Sequence, residues 1–257
     1  MTSDSRPWLI LLHGFGLNAG YFQPHLSAFA SDYQLLPLEL RGHGQRSREP
    51  GPYGLAAYTD DLAAELDRRQ IRSAIFWGSH AGAAAGLLLA CRDPRYFSAL
   101  VLESGFLPGS AMPRVRELNI RARQLAHSHG IRAALDDMWE HADWFAHPRS
   151  QPDERHSQRL HTLLQEFAGT PWLSPLPPAR ITPPGQRLQL LHQPVLIYHG
   201  QHEMPEIRHA GQFLASLLPA ATLAEIPGCG SFPASENPVQ TGHAVLGFLA
   251  GHLRHRV

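Results

Sequence analysis

Four short segments of this chain gather the side chains able to do chemistry. His13-Gly14-Phe15-Gly16 follows the apolar run Trp8 to Leu12. Gly78-Ser79-His80-Ala81-Gly82 joins the run Ala74 to Trp77 to an alanine-rich stretch. Gly200-Gln201-His202-Glu203 and Gly228-Cys229-Gly230-Ser231-Phe232-Pro233 end two later apolar runs. Serine, histidine and glutamate together can supply the attacking group, the base and the orienting acid of nucleophilic acyl transfer. The same segments invite a metal reading, because His80, His202 and Glu203 would make the three protein ligands of an open zinc site. The spacings that mark such sites (H-x-E-x-H, HExxH, CxxC) are absent. Most of the 17 histidines scatter instead, with His127, His129, His141, His147, His156 and His161 on no shared face. No metal and no cofactor is expected.

Composition narrows the chemistry further. All 22 basic residues are arginine, which excludes Schiff-base lysine chemistry, a P-loop and the lysine-based serine hydrolase motifs. A net charge of zero argues against a nucleic-acid partner, which needs a clustered basic excess. The two cysteines are too few for a disulfide framework: Cys91 reads as buried packing and Cys229 as a small residue in a tight loop. The first residues, MTSDSRPWLI, lack the charged leader and long apolar stretch of a signal peptide, and no window approaches the roughly 20 apolar residues of a membrane span. A cytoplasmic protein is expected, a monomer or small homo-oligomer whose partner is a small molecule, not a membrane.

The elements that must hold these segments alternate between strand and helix patterns, the mark of a parallel sheet with crossover helices. Strands are expected at Trp8–Leu12, Tyr33–Leu40, Ala74–Trp77 and Ala99–Glu103. Helices are expected at Tyr58–Arg69, capped by Thr59 or Asp60, and from Gly82 to about Ala90. From about Gly105 to Arg187 no strand pattern is found. Three helical stretches (Val115–His127, Ile131–Trp144, Glu154–Phe167) precede the proline-rich PWLSPLPPARITPP, which reads as a rigid return path. Alternation resumes with Pro194–His199, Pro205–Leu218, Thr222–Ile226 and Val239–Leu253, after which His252, Arg254 and His255 would favour a helix C-terminal dipole. This divides the chain into an α/β core over 1–104, a helical cap over 105–187 and the rest of the core over 188–257. Trp139, Trp144, Phe145, Phe167 and Trp172 would pack between cap and sheet, some as walls of a largely apolar pocket.

With these segments in this order, the chain resembles the α/β-hydrolase fold family along essentially its whole length. The stretches LLHGFGLNAGYF and RGHGQRS are specific for it, and the nearest likeness is to small carboxylesterases such as the pimeloyl-acyl-carrier-protein methyl esterase. The resemblance implies a mostly parallel central sheet flanked by helices, with hydrolysis of small to medium carboxylic esters. It implies a nucleophile in the middle of G-x-S-x-G, where Gly78 and Gly82 here frame His80. Taking Ser79 instead would set bulky Trp77 two positions before it, in the tight turn. The late loop that usually reads G-C-G-H-F-P has Ser231 at the histidine position. Glu203 holds the place of the acid, and the amides of Phe15 and Ala81 that of the oxyanion donors. His13 would hold the oxyanion loop in shape.

Serine and histidine thus stand exchanged between positions 80 and 231. Three readings follow. The exchanged pair retains Ser–His chemistry, weakened because the donors face position 80 and Glu203 faces position 231. Catalysis is lost and the fold binds a ligand. Or His80 serves alone, as a base in lyase- or oxygenase-type chemistry or as a nucleophile forming an acyl-imidazole. Glu103, ending its strand, is an alternative acid but reads more simply as a strand-end cap or a solvent-facing side chain.

Overall fold

The computed structural model describes residues 5–151 and 154–253; Arg254 and His255 lie outside the described residues. In chain order the elements are β1 (Trp8–Leu12), α1 (Gln23–Phe29), β2 (Gln34–Leu38), α2 (Leu55–Arg68), β3 (Ala74–Ser79), α3 (Ala81–Arg92) and β4 (Phe97–Glu103). Five helices follow, α4 (Pro113–His129), α5 (Ile131–His141), α6 (Ala146–Ser150), α7 (Glu154–Gln165) and α8 (Thr170–Leu173). The chain then runs through β5 (Val195–Gly200), α9 (Pro205–Leu217), β6 (Ala221–Ile226), α10 (Pro233–Glu236) and α11 (Pro238–Leu253).

The six strands form one sheet in the order β2-β1-β3-β4-β5-β6, and every neighbouring pair is parallel. A parallel sheet covered on both faces demands strands that are buried almost throughout and mainly apolar, as β1, β3, β4 and β5 are. Alternate residues feed two cores. Leu9, Leu11, Trp77, Val101 and Tyr198 face one layer, whereas Ile10, Phe76, Leu100, Leu102 and Ile197 face the other. The first core continues into the cap through Leu118, Trp139, Phe145, Leu160 and Trp172, so the helices between β4 and β5 share their apolar interior with the sheet. Among the described residues no helix is long and apolar enough to cross a membrane.

The expected cap of α2 needs correction. The helix begins at Leu55, after Gly54 with φ 112°, and Thr59 lies inside it, its hydroxyl bonded back to the Leu55 carbonyl at 2.7 Å. The chain can turn into a helix there because Gly54 takes a backbone conformation that side-chain-bearing residues disfavour. The short helices α1, α8 and α10 carried too little periodicity to be expected.

Candidate active site

The carboxyl ends of β1, β3, β5 and β6 each lead into one of the four candidate segments, and β4, between β3 and β5, ends on Glu103. Strand β3 runs through Ser79 and turns at His80, whose φ of 48° and ψ of −109° place it in a strained conformation just before α3. Two glycines make that turn feasible. A Cβ on Gly78 would lie 2.6 Å from the Ala83 nitrogen, and one on Gly82 would collide with the carbonyl oxygens of Leu12 and His13. Gly14 packs against the turn from β1, with 3.3 Å between an added Cβ there and the His80 Cβ.

His80 lines a cavity of about 520 Å³ together with Gly14, Phe15, Ala81 and Phe232, under walls supplied largely by cap side chains. Phe232 lies over its ring at 5.1 Å. Nδ1 of His80 is 3.0 Å from Ser79 Oγ, whereas Nε2 is buried and has no hydrogen-bond partner. Ser79 Oγ in turn donates to Glu103 Oε1 at 2.7 Å. A hydroxyl has one proton, so with that proton given to the carboxylate Ser79 accepts from His80, and the imidazole proton sits on Nδ1. The lone pair of Nε2 is then free. Burial pushes the His80 imidazole down to about 4, which keeps it neutral near pH 7.

Of the expectations for Glu103, an alternative acid, a strand-end cap or a solvent-facing side chain, the last is corrected by its burial. Glu103 is fully buried and accepts from four donors, Tyr21 Oη (2.5 Å), Ser79 Oγ (2.7 Å), Tyr198 Oη (2.8 Å) and the Ala234 amide (2.8 Å). Strand β4 is central in the sheet, so its last residue ends inside the protein. Register does the rest, since Ser79 and Glu103 are paired positions at the ends of β3 and β4. Burial raises the Glu103 carboxyl, while its donors pull in the opposite direction by favouring the anion.

The second carboxylate has separate partners. Glu203 accepts from Ser231 Oγ, from Ser104 Oγ and from the Met204 amide, the last at 2.8 Å. Burial raises its carboxyl to about 7. Ser104, at φ 47°, escaped the sequence reading altogether. The loops carrying Glu203 and Ser231 are tied by the His202 amide on the Cys229 carbonyl at 2.8 Å, an approach that a side chain on Gly200 would block. The structure therefore brings Ser231 to Glu203 and not to His80: no hydrogen bond joins Ser231 and His80, and Ser231 is not among the residues lining the cavity.

The supporting residues divide as their chemistry suggests. His13 Nδ1 contacts the Gly14 carbonyl at 2.7 Å and its Nε2 accepts from the Leu40 amide at 3.1 Å, while the Gly16 amide donates to His43 Nε2 at 3.1 Å. These bonds fix the loop that presents Phe15 to the cavity. Ala81, the first residue of α3, has an amide outside the intrahelical ladder. His202 stacks on His147 at 4.7 Å, away from the cavity lining. Among the described residues no three His, Cys, Asp or Glu side chains are placed to hold a metal ion. Cys229 is buried, and its thiol is pushed up to about 12.

Comparison with known proteins places this architecture. Residues 9–243 match the alpha/beta hydrolase family, and the chain belongs to that family. It is 26% identical over 243 residues to 3-oxoadipate enol-lactonase 2 of Acinetobacter baylyi, covering 93% of this chain and 87% of that one. The enol-lactonase of Burkholderia xenovorans superposes with a TM-score of 0.81 at 19% identity, over 97% of this chain and 94% of that one. MenH from S. aureus does so with a TM-score of 0.78 at 20% identity, over 98% and 96%.

Proposed function

We propose that the protein hydrolyses carboxylic esters or lactones with an acidic leaving group, and that His80, not Ser231, is the reactive residue. The observation that carries this reading is the unpartnered Nε2 of a neutral imidazole, held at the cavity by a strained turn. Nε2 attacks the carbonyl carbon, and the amides of Phe15 and Ala81 receive the developing oxyanion. The leaving oxygen or sulfur departs as an anion, giving an N-acyl-imidazolium that keeps its Nδ1 proton, and water then cleaves the acyl–nitrogen bond, its proton passing to the departed anion, to release the acid and restore the Nε2 lone pair. Positive charge forming on the ring is met through Nδ1–H by Ser79 and behind it Glu103, the orienting acid of this arrangement.

A weakly basic imidazole expels a weakly basic leaving group best, which favours enol, phenol or thiol esters over alkyl esters. The relatives named as enol-lactonases accord with that class. The wider assignment is a carboxylesterase-type hydrolase with a rearranged triad. Within it Glu203 and Ser231, expected as acid and nucleophile, are bonded to each other and take no part in the attack.

A second reading, ligand binding without turnover, is favoured by the lack of any hydrogen bond from His80 itself to a carboxylate. Hydrolysis of p-nitrophenyl acetate and butyrate by the wild type, His80→Ala and Ser231→Ala separates the possibilities. The proposal expects turnover to vanish in His80→Ala and persist in Ser231→Ala, with a trapped acyl adduct on the His80 peptide by mass spectrometry. Loss in both variants would restore the exchanged Ser231–His80 pair, and no turnover in any of them would leave the binding reading.

A further inference from the structure

The cap helix α4 contributes Arg116, Asn119, Ile120 and Arg123 to the cavity lining, a spacing of three, four and seven residues that marks a single helix face. The other arginines of this helix with ion pairs are spent: Arg114 on Asp143 and Glu117, and Arg121 on Asp137. Arg116 has no hydrogen bond or ion pair from its side chain among the described residues, and Arg123 gives only one N–H, to the Ser174 carbonyl at 2.8 Å. No aspartate or glutamate lines the cavity among the described residues. Arg123, half-buried, and Arg116, exposed to solvent, thus edge a largely apolar cavity that holds no carboxylate among the described residues. Two residues before Ser174, the indole Nε1 of Trp172 is buried at the same cavity with no acceptor. A buried donor without an acceptor costs free energy that a ligand oxygen restores.

We infer that this face of α4 is an anion-recognition site, and that the substrate carries a carboxylate on the same molecule as the ester or lactone. Arg123 and Arg116 receive the carboxylate, whose planar oxygens match the guanidinium fork, and the apolar walls receive the carbon chain between the two groups. Trp172 Nε1 adds a neutral donor. This rests on the proposed ester chemistry for its scissile group, but the charge preference is measurable without turnover.

Adipic acid monoamide and hexanamide, equal in chain length and neither an ester, are the probes for calorimetry. The wild type is expected to bind the monoamide acid about tenfold more tightly, as one charge-assisted contact in a partly exposed site would give. That gap should shrink at about 1 M salt, where the screening length is about 3 Å. It should close in Arg116→Gln with Arg123→Gln and persist, reduced, in the corresponding lysine pair. Equal affinities in the wild type, or a gap that survives the glutamine pair, would overturn the anion site.

Turnover of mono-p-nitrophenyl adipate against p-nitrophenyl hexanoate tests the reaction separately. If neither is hydrolysed while the affinity gap stands, the esterase proposal fails and the anion site remains. Hydrolysis of both at one rate with no affinity gap overturns the anion site alone.

Discussion

Ser79 donates to Glu103 across 2.7 Å, and this bond determines which nitrogen of the neighbouring His80 holds its proton. In a Ser-His-Asp triad the carboxylate binds the imidazole directly and fixes its tautomer. Here a serine stands between them, and the carboxylate comes from β4 instead of the loop after β5. The consequence is the same at the ring: Nδ1 is a donor facing inward and Nε2 an open lone pair.

Breaking that relay should change the tautomer. Ser79→Ala removes the acceptor of Nδ1–H, so nitrogen-15 spectra of His80 should shift from one tautomer toward a mixture. The rate on p-nitrophenyl butyrate should fall by about 10²-fold or more, the scale of a lost tautomer-setting contact, with KM little changed. Glu103→Gln should act similarly and also cost about 1–3 kcal/mol of stability, since an amide cannot accept from all four donors. An unchanged spectrum in both variants would show that Ser79 does not set the tautomer.

The pH profile follows from burial of the imidazole. With His80 lowered to about 4, kcat/KM for a neutral ester should rise as pH increases through about 4 and stay level from about 5.5 to 8. The sign is that of a group active when deprotonated. An inflection near 6.5 would mean that His80 is solvated like an ordinary histidine.

Glu203 predicts a dependence of stability on pH. Its carboxyl is raised from 4.5 to about 7, so folding favours the protonated form. Its stabilising contribution is complete below about pH 4.5 and lost as pH rises to about 7. Glu203→Gln should flatten the urea midpoint over this window, while a parallel fall in both proteins would assign the dependence elsewhere.

Placing serine at position 80 and histidine at position 231, the order that the family resemblance implies, tests the proposed exchange most directly. His80→Ser with Ser231→His would place an imidazole on Glu203, which already accepts from position 231. Turnover of p-nitrophenyl butyrate should exceed that of the wild type by about 10²- to 10⁴-fold, the range of a positioned base. Either single substitution should give no gain. A double variant no faster than the wild type would mean that the cavity no longer presents a carbonyl to position 80.

Much of this protein was legible in the chain itself. Apolar strands and amphipathic helices announced the parallel sheet, because burial on both faces forces continuous apolar runs such as Ala74–Trp77. Gly78 and Gly82 located the turn at His80, because only glycine leaves room for Ala83 and for the carbonyls of Leu12 and His13. The family resemblance implied Glu203 as the acid facing position 231, where Ser231 now donates to it. What the chain left undecided depended on register and depth. Glu103 looked like a surface carboxylate until the pairing of β3 with β4 set it beside Ser79 inside the sheet. Arg116 and Arg123 carry no signal in the sequence, and only the packing of their helix sets them at the cavity. Residue types and local turns are written along the chain, but a hydrogen bond between residues 24 positions apart requires the strands to align, and only the folded sheet aligns them.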